Sequence, residues 1–288
     1  MKNNYLSALF YLLLVLFTTG CAGIHPPPNY KSSVANWKEL KPLDTAQLKH
    51  TVFLIGDVGK PSHDPQEPSL KFMRQQMEVA DANSTTIFLG DNVYNYGLPE
   101  PGAYDRKVSE ERLKDQLDVM KNYRGEKYMI PGNHDWAQGL KGGWDAVIRQ
   151  ELFVEEYLKD TAFVTGGDFY VPDGGCPGPF EVKVQDDLVL IALNSQWWLQ
   201  YEDRPYGGTS TCTAMNEIDV YVQLEDIIRK NQGNNILVVA HHPLFSDGVH
   251  GGYFTLLDHI FPISIVHKWA LLPLPLIGSM YPVARRFG

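Results

Sequence analysis

Five short apolar runs, each followed at once by residues of the kind that bind metals or move protons, constrain this chain more than any other feature. The runs at Thr51 to Ile55, Thr85 to Leu89, Lys127 to Ile130, Leu188 to Leu193 and Asn235 to Ala240 are bounded by turn residues and rich in β-branched or large apolar side chains. Each predicts a strand. Stretches of helical period lie between them: Leu70, Met73, Met77 and Ala80 share one face, as do Leu113, Leu117 and Met120. Ser109 is placed to cap the second of these helices, and a later helix from about Ala214 to Lys230 sets Ile218, Tyr221 and Ile228 on a common face. Strands alternating with helices predict an α/β domain.

The strand ends carry Gly56-Asp57, Gly90-Asp91-Asn92, Gly132-Asn133-His134-Asp135, Asn194-Ser195 and His241-His242-Pro243. Open α/β sheets form their sites beyond the carboxyl ends of strands, so these segments are expected to converge although they span much of the chain. Asp, Asn and His make a mixed oxygen and nitrogen donor set, which suits Zn, Mn or Fe better than a calcium cage. A carboxylate can bridge two ions, and two ions roughly 3.5 to 4 Å apart can hold both a phosphoryl oxygen and its attacking hydroxide. Glycine ahead of the ligands lets the backbone turn sharply and come close. Each residue also has an ordinary structural reading: Asp57 and Asp91 as turn residues, Asn133 as a helix cap, Tyr94 as a core aromatic. Trp136, Trp197 and Trp198 either wall the pocket or pack in the core.

In this order the motifs resemble those of the calcineurin-like metallophosphoesterases, over about residues 50 to 250. Three details look like the purple, or tartrate-resistant, acid phosphatase branch. Gly59 stands where many members have His, Tyr94 follows Gly90-Asp91-Asn92-Val93, and His250 lies nine residues after His241. The resemblance implies a two-sheet mixed β-sandwich flanked by helices. It implies that Asp57, Asp91 and Tyr94 bind one metal and that Asp91, Asn133 and His241 bind the other. His134 would donate a proton to the leaving alkoxide or touch the phosphate, with Asp135 orienting its ring, and His250 would contact phosphate. His242 is given a structural role.

One motif of that family is absent. No Gly-His-x-His follows His250, and the later histidines, His259 and His267, lack its context. Each metal would then be one ligand short and an edge of the second sheet exposed, so the fold is expected to be C-terminally incomplete. The last segment, about residues 260 to 288, is apolar but broken by Pro262, Pro273, Pro275 and Pro282, which predicts a cap or a stretch lying on a membrane surface rather than a span.

At the other end, Lys2, an apolar run from Tyr5 to Phe17 and then Thr18-Thr19-Gly20-Cys21 read as a signal peptide whose end resembles the bacterial lipobox. A lipidated Cys21 would anchor the chain to an envelope membrane on its exported side, with residues 22 to 45 as a tether and 46 to 288 as the domain. The alternative is a plain signal peptide with an incidental Cys. Cys176 and Cys212 would then be a disulfide or two free thiols, and export favours the disulfide. The formal charge of −9, from 34 acidic and 25 basic residues with no run of like charge, argues against nucleic acid as a partner. The substrate class expected is a phosphate monoester. A phosphodiesterase or nucleotidase on the same metals is one alternative, and a non-catalytic envelope lipoprotein that keeps the scaffold is another.

Overall fold

Parallel pairing without stagger is what brings the strand ends level. The computed structural model describes residues 48–287 apart from 63–66, 81, 161–166, 202, 209, 245, 247–252, 266, 268, 270 and 275. The expected signal peptide and tether lie outside the described residues. Strand β1 (Thr51–Ile55), helix α1 (Pro68–Val79), β2 (Ser84–Phe88), α2 (Arg106–Lys121) and β3 (Glu126–Met129) follow in order. The three strands form one parallel sheet in the order β1-β2-β3, with Ile55 opposite Phe88 and Phe88 opposite Met129. The chain therefore leaves all three strands at one rim. After α3 (Gly143–Leu158) come β4 (Phe180–Gln185), β5 (Leu188–Ala192), the single turn α4 (Gln196–Leu199), α5 (Glu217–Lys230) and β6 (Asn235–Val239). They build a second sheet in the order β4-β5-β6, antiparallel between β4 and β5 and parallel between β5 and β6. Ala192 lies opposite Val239, so these two strands also end level.

The strand period of two decides which layer each side chain enters. Ile87 and Tyr128 turn toward the second sheet and pack with Val182, Leu190, Ala192 and Val239. Their neighbours Phe88 and Met129 turn to the other side and pack with Leu70, Met73, Leu113, Leu117 and Val147 from the helices. Burying each such large side chain contributes about 1.5–3 kcal/mol, so the facing layers, more than the short ladders, hold the sandwich together. A disulfide joins Cys176, ahead of β4, to Cys212, ahead of α5.

Several element expectations need correction. Helix α2 begins at Arg106, so Ser109 is a buried position inside it rather than its cap. An ion pair of 2.7 Å from Arg106 to Glu110, at helical spacing, supports the extra turn. In α5 the inward residue is Val220, while Ile218, Tyr221 and Ile228 are exposed. Val220, Leu224 and Ile227 form a second apolar stripe beside the expected one, and tertiary packing selects it. Asn216 caps it, accepting from the backbone N–H groups of Ile218 and Asp219. Strand β4 was not expected. Strand β6 is an edge of the second sheet, and its Val238 is exposed. Beyond it the apolar segment folds into short pieces, α6 (Leu256–Ile260) and α7 (Met280–Phe287) with turns of 3-10 helix between them.

Candidate metal centre

At the common rim, Asp57 follows β1, Asp91 follows β2, Asn133 and His134 follow β3, and His241 follows β6. Donor atoms of Asp57, Asp91 and His241 lie within 4.8 Å of one another. Asp57 and Asp91 both adopt positive φ, 60° and 55°, a backbone state that costs an ordinary residue free energy and concentrates at functional sites. The approach of the loops requires glycine at two places. A Cβ on Gly132 would collide with the backbone nitrogen and carboxylate of Asp91, and one on Gly90, at φ 93°, would sit 2.7 Å from the Gly132 nitrogen.

Hydrogen bonds then aim each side chain. The His241 Nδ1 lies 2.8 Å from the Leu89 carbonyl, which can only accept, so Nδ1 carries a proton and donates. In the neutral ring Nε2 therefore presents a lone pair, 3.0 Å from Asn133 Oδ1 and 3.4 Å from Asp91 Oδ1. A nitrogen lone pair and oxygens of two side chains turned on one point form a set that a cation satisfies. The donor set thus fits a metal ion, and the outer carbonyl orients the ligand as it does in known metal sites. Asp91 is buried and also accepts from the His134 backbone N–H at 2.9 Å.

Tyr94 donates its hydroxyl to Asp57 at 3.2 Å. Burial, and after it the charges of Asp91 and Asp57, hold this phenol well above its ordinary range, so without a cation it stays protonated. His134 packs edge-on against the Tyr94 ring, with Nε2 3.8 Å from Asp91 Oδ2.

The expected role of Asp135 is corrected. The His134 ring is held through Nδ1 by the Asn95 carbonyl at 2.7 Å, and the Gln138 amide lies 3.2 Å from the same nitrogen. Asp135 is fully buried and accepts instead from the backbone N–H groups of Gly132, Asn92 and Val93 and from the side chains of Asn92 and Gln150. It ties the loop after β2 to the loop after β3. Burial pushes its carboxyl up to about 6 against the opposing pull of the Gly132 N–H, with the Asp91 charge adding to the rise.

His250 lies outside the described residues. His242 is 2.8 Å through Nδ1 from Ser195 Oγ, which also accepts the His242 backbone N–H at 3.0 Å, so the pair joins the ends of β5 and β6. Trp136 and Trp197 are wholly buried in the core and do not wall a pocket, and Trp198 is half-buried against it. Gln150 and Gln138 were not foreseen. Gln150 could have been, because it interrupts the apolar stripe of Val147, Val154 and Leu158 on α3.

Residues 50–266 match the family model of the calcineurin-like phosphoesterases. The match covers most of the chain, which belongs to that family of metal-dependent hydrolases. No curated protein matches it.

Proposed function

We propose that the chain hydrolyses phosphate monoesters at a pair of metal ions, in the manner of the purple acid phosphatase branch. The observation that carries this reading is the convergence of Asp57, Asp91 and His241 from three separate strand ends. Asp57, Asp91 and Tyr94 would hold one ion, and Asp91, Asn133 and His241 the other. When bound, Fe, Zn or Mn ions would offset the anionic oxygens of a phosphate and make water acidic enough to attack near neutral pH. The chain's own contribution is to hold the donors and to place a proton. His134, its Nδ1 engaged by Asn95, would present Nε2 to the departing alkoxide as general acid. His250 would contact the phosphate. Export and lipid attachment at Cys21 belong to the same proposal and rest on residues 1 to 21 alone.

The test is metal content together with turnover of a chromogenic phosphate monoester and of the matching diester, with Asp91→Ala as control. About two ions per chain, faster monoester turnover and a loss of at least ~100-fold in the variant are expected. Faster diester turnover would move the assignment to a diesterase. A folded protein with neither metal nor turnover would be a scaffold kept for binding.

A further inference from the structure

Residues 253–287 carry an apolar surface for which the metal centre has no use. Trp269 is 92% exposed, Leu276 88%, Leu256 75% and Met280 70%, with Leu272 and Ile277 more than half exposed. Single exposed apolar residues are common, but this many on one short segment mark a surface that something covers. The segment has internal structure. The Leu274 backbone N–H donates to the Ile260 carbonyl at 2.7 Å, His259 Nδ1 lies 3.0 Å from Ser279 Oγ, and Phe254 packs edge-on against Tyr281.

Its charge singles out one kind of partner. In a chain of formal charge −9, this stretch has Lys268, Arg285 and Arg286 against a single acidic residue, Asp258. The Asp258 carboxylate is engaged in the cap of α6, accepting from the Thr255 backbone and hydroxyl. Exposed Trp, Tyr and aliphatic side chains combined with cations match the headgroup boundary of an anionic bilayer. A second copy fits less well, because the stretch would bring the same net positive charge to both sides of the contact. Among the described residues no helix is long and apolar enough to cross a membrane, so the segment would lie on it.

We propose that residues 253–287 dock on an anionic lipid bilayer, burying Leu256, Trp269, Leu272, Leu276, Ile277 and Met280 at the headgroup boundary. The docking is independent of catalysis and of any lipid on Cys21.

The experiment is vesicle flotation of the chain from Ala22 onward, which lacks both leader and lipid. The compact unit begins at Lys49 and is left whole. Vesicles of phosphatidylethanolamine with phosphatidylglycerol should carry the protein up the gradient, and pure phosphatidylcholine should carry much less. Leu272→Asp with Leu276→Asp should lower the bound-to-free ratio about tenfold or more. Should that variant misfold, brominated lipids give a second readout: they should quench the wild-type tryptophan emission more than that of Trp269→Phe. No flotation of the folded wild type, equal quenching of the two proteins, or equal flotation of a folded double variant would overturn the proposal. A lipid-free dimer abolished by the same substitutions would overturn it in favour of a second copy.

Discussion

A single amide group tests how the proposed ligands are held. Gln150 donates to Asp135 at 3.0 Å and to the Tyr170 hydroxyl at 3.2 Å from a fully buried position. Gln150→Leu keeps the volume and removes the donor, so it should destabilise the fold by about 1–3 kcal/mol in urea unfolding. Metal affinity should fall with it, because Asp135 joins the loops that carry Asp91 and Asn133. An unchanged unfolding midpoint would show that the remaining donors, from the backbone and from the Asn92 side chain, are enough for Asp135. Gln150 can be noticed as a break in an apolar stripe, but the partners of such residues mark the limit of what the sequence makes legible. Asp57, Asp91, Asn133 and His241 can be picked out because an apolar run announces a strand and the next residues then fall at its end. The partner of the His134 ring could not be found that way, because the Asn95 carbonyl is a main-chain group and every residue has one.

At the scale of elements, α3 carries an ionisable group that works against the fold. Glu151 accepts the Gly174 backbone N–H at 2.8 Å, and Glu155 accepts those of Phe169 and Tyr170, so the helix pins the segment leading to the disulfide. Burial pushes the Glu151 carboxyl up to about 7; the Gly174 N–H opposes this, and the charges of Asp173, Glu155 and Asp168 add to it. The folded state thus keeps a proton that an unfolded glutamate, with an ordinary pKa of about 4.3, has already lost. This contribution is fully present below the unfolded value and is lost as pH rises to the folded one. Glu151→Gln removes the dependence and can still accept the Gly174 N–H. Unfolding in urea should therefore show the variant gaining on wild type by about 1–2 kcal/mol between pH 5 and pH 8, with solvent screening allowed for. An equal difference at both values would place the cause elsewhere. The expected strands fall within a residue of the observed ones, because short β-rich runs between turn residues have few other readings. Strand β4 was missed although Phe180 to Gln185 alternates apolar and polar residues and turns at Asp186-Asp187 into β5. The inward stripe of α5, Val220 with Leu224 and Ile227, was misjudged because Ile218, Tyr221 and Ile228 repeat at helical spacing on a neighbouring face.

For the molecule as a whole, the family and the sandwich were legible from the order of the motifs, while the way the two sheets face each other was not, since it depends on which alternate residues meet across the core. The same assembly makes metal binding a property of the folded state, because Asp57, Asp91 and His241 are brought together only by the completed rim. With no cation present, two carboxylates held this close repel each other. An ion that binds the folded state and not the unfolded chain stabilises it by about 2.7 kcal/mol at a hundred times its Kd. For a domain of this size that corresponds to roughly 5–10 °C in Tm. Asp91→Asn is the informative variant, because Asn tolerates the positive φ that Asp91 adopts and can still accept the His134 N–H. In the presence of a chelator Asp91→Asn should unfold at or above the wild-type temperature, the repulsion having been removed. With saturating Mn or Zn the order should reverse, wild type rising by the full amount and the variant by little. Thermal unfolding of both proteins across a metal titration would show this crossing. Parallel curves for two folded proteins would mean that the strand-end cluster holds no ion, and the chain would then have kept the scaffold of a phosphoesterase without its chemistry.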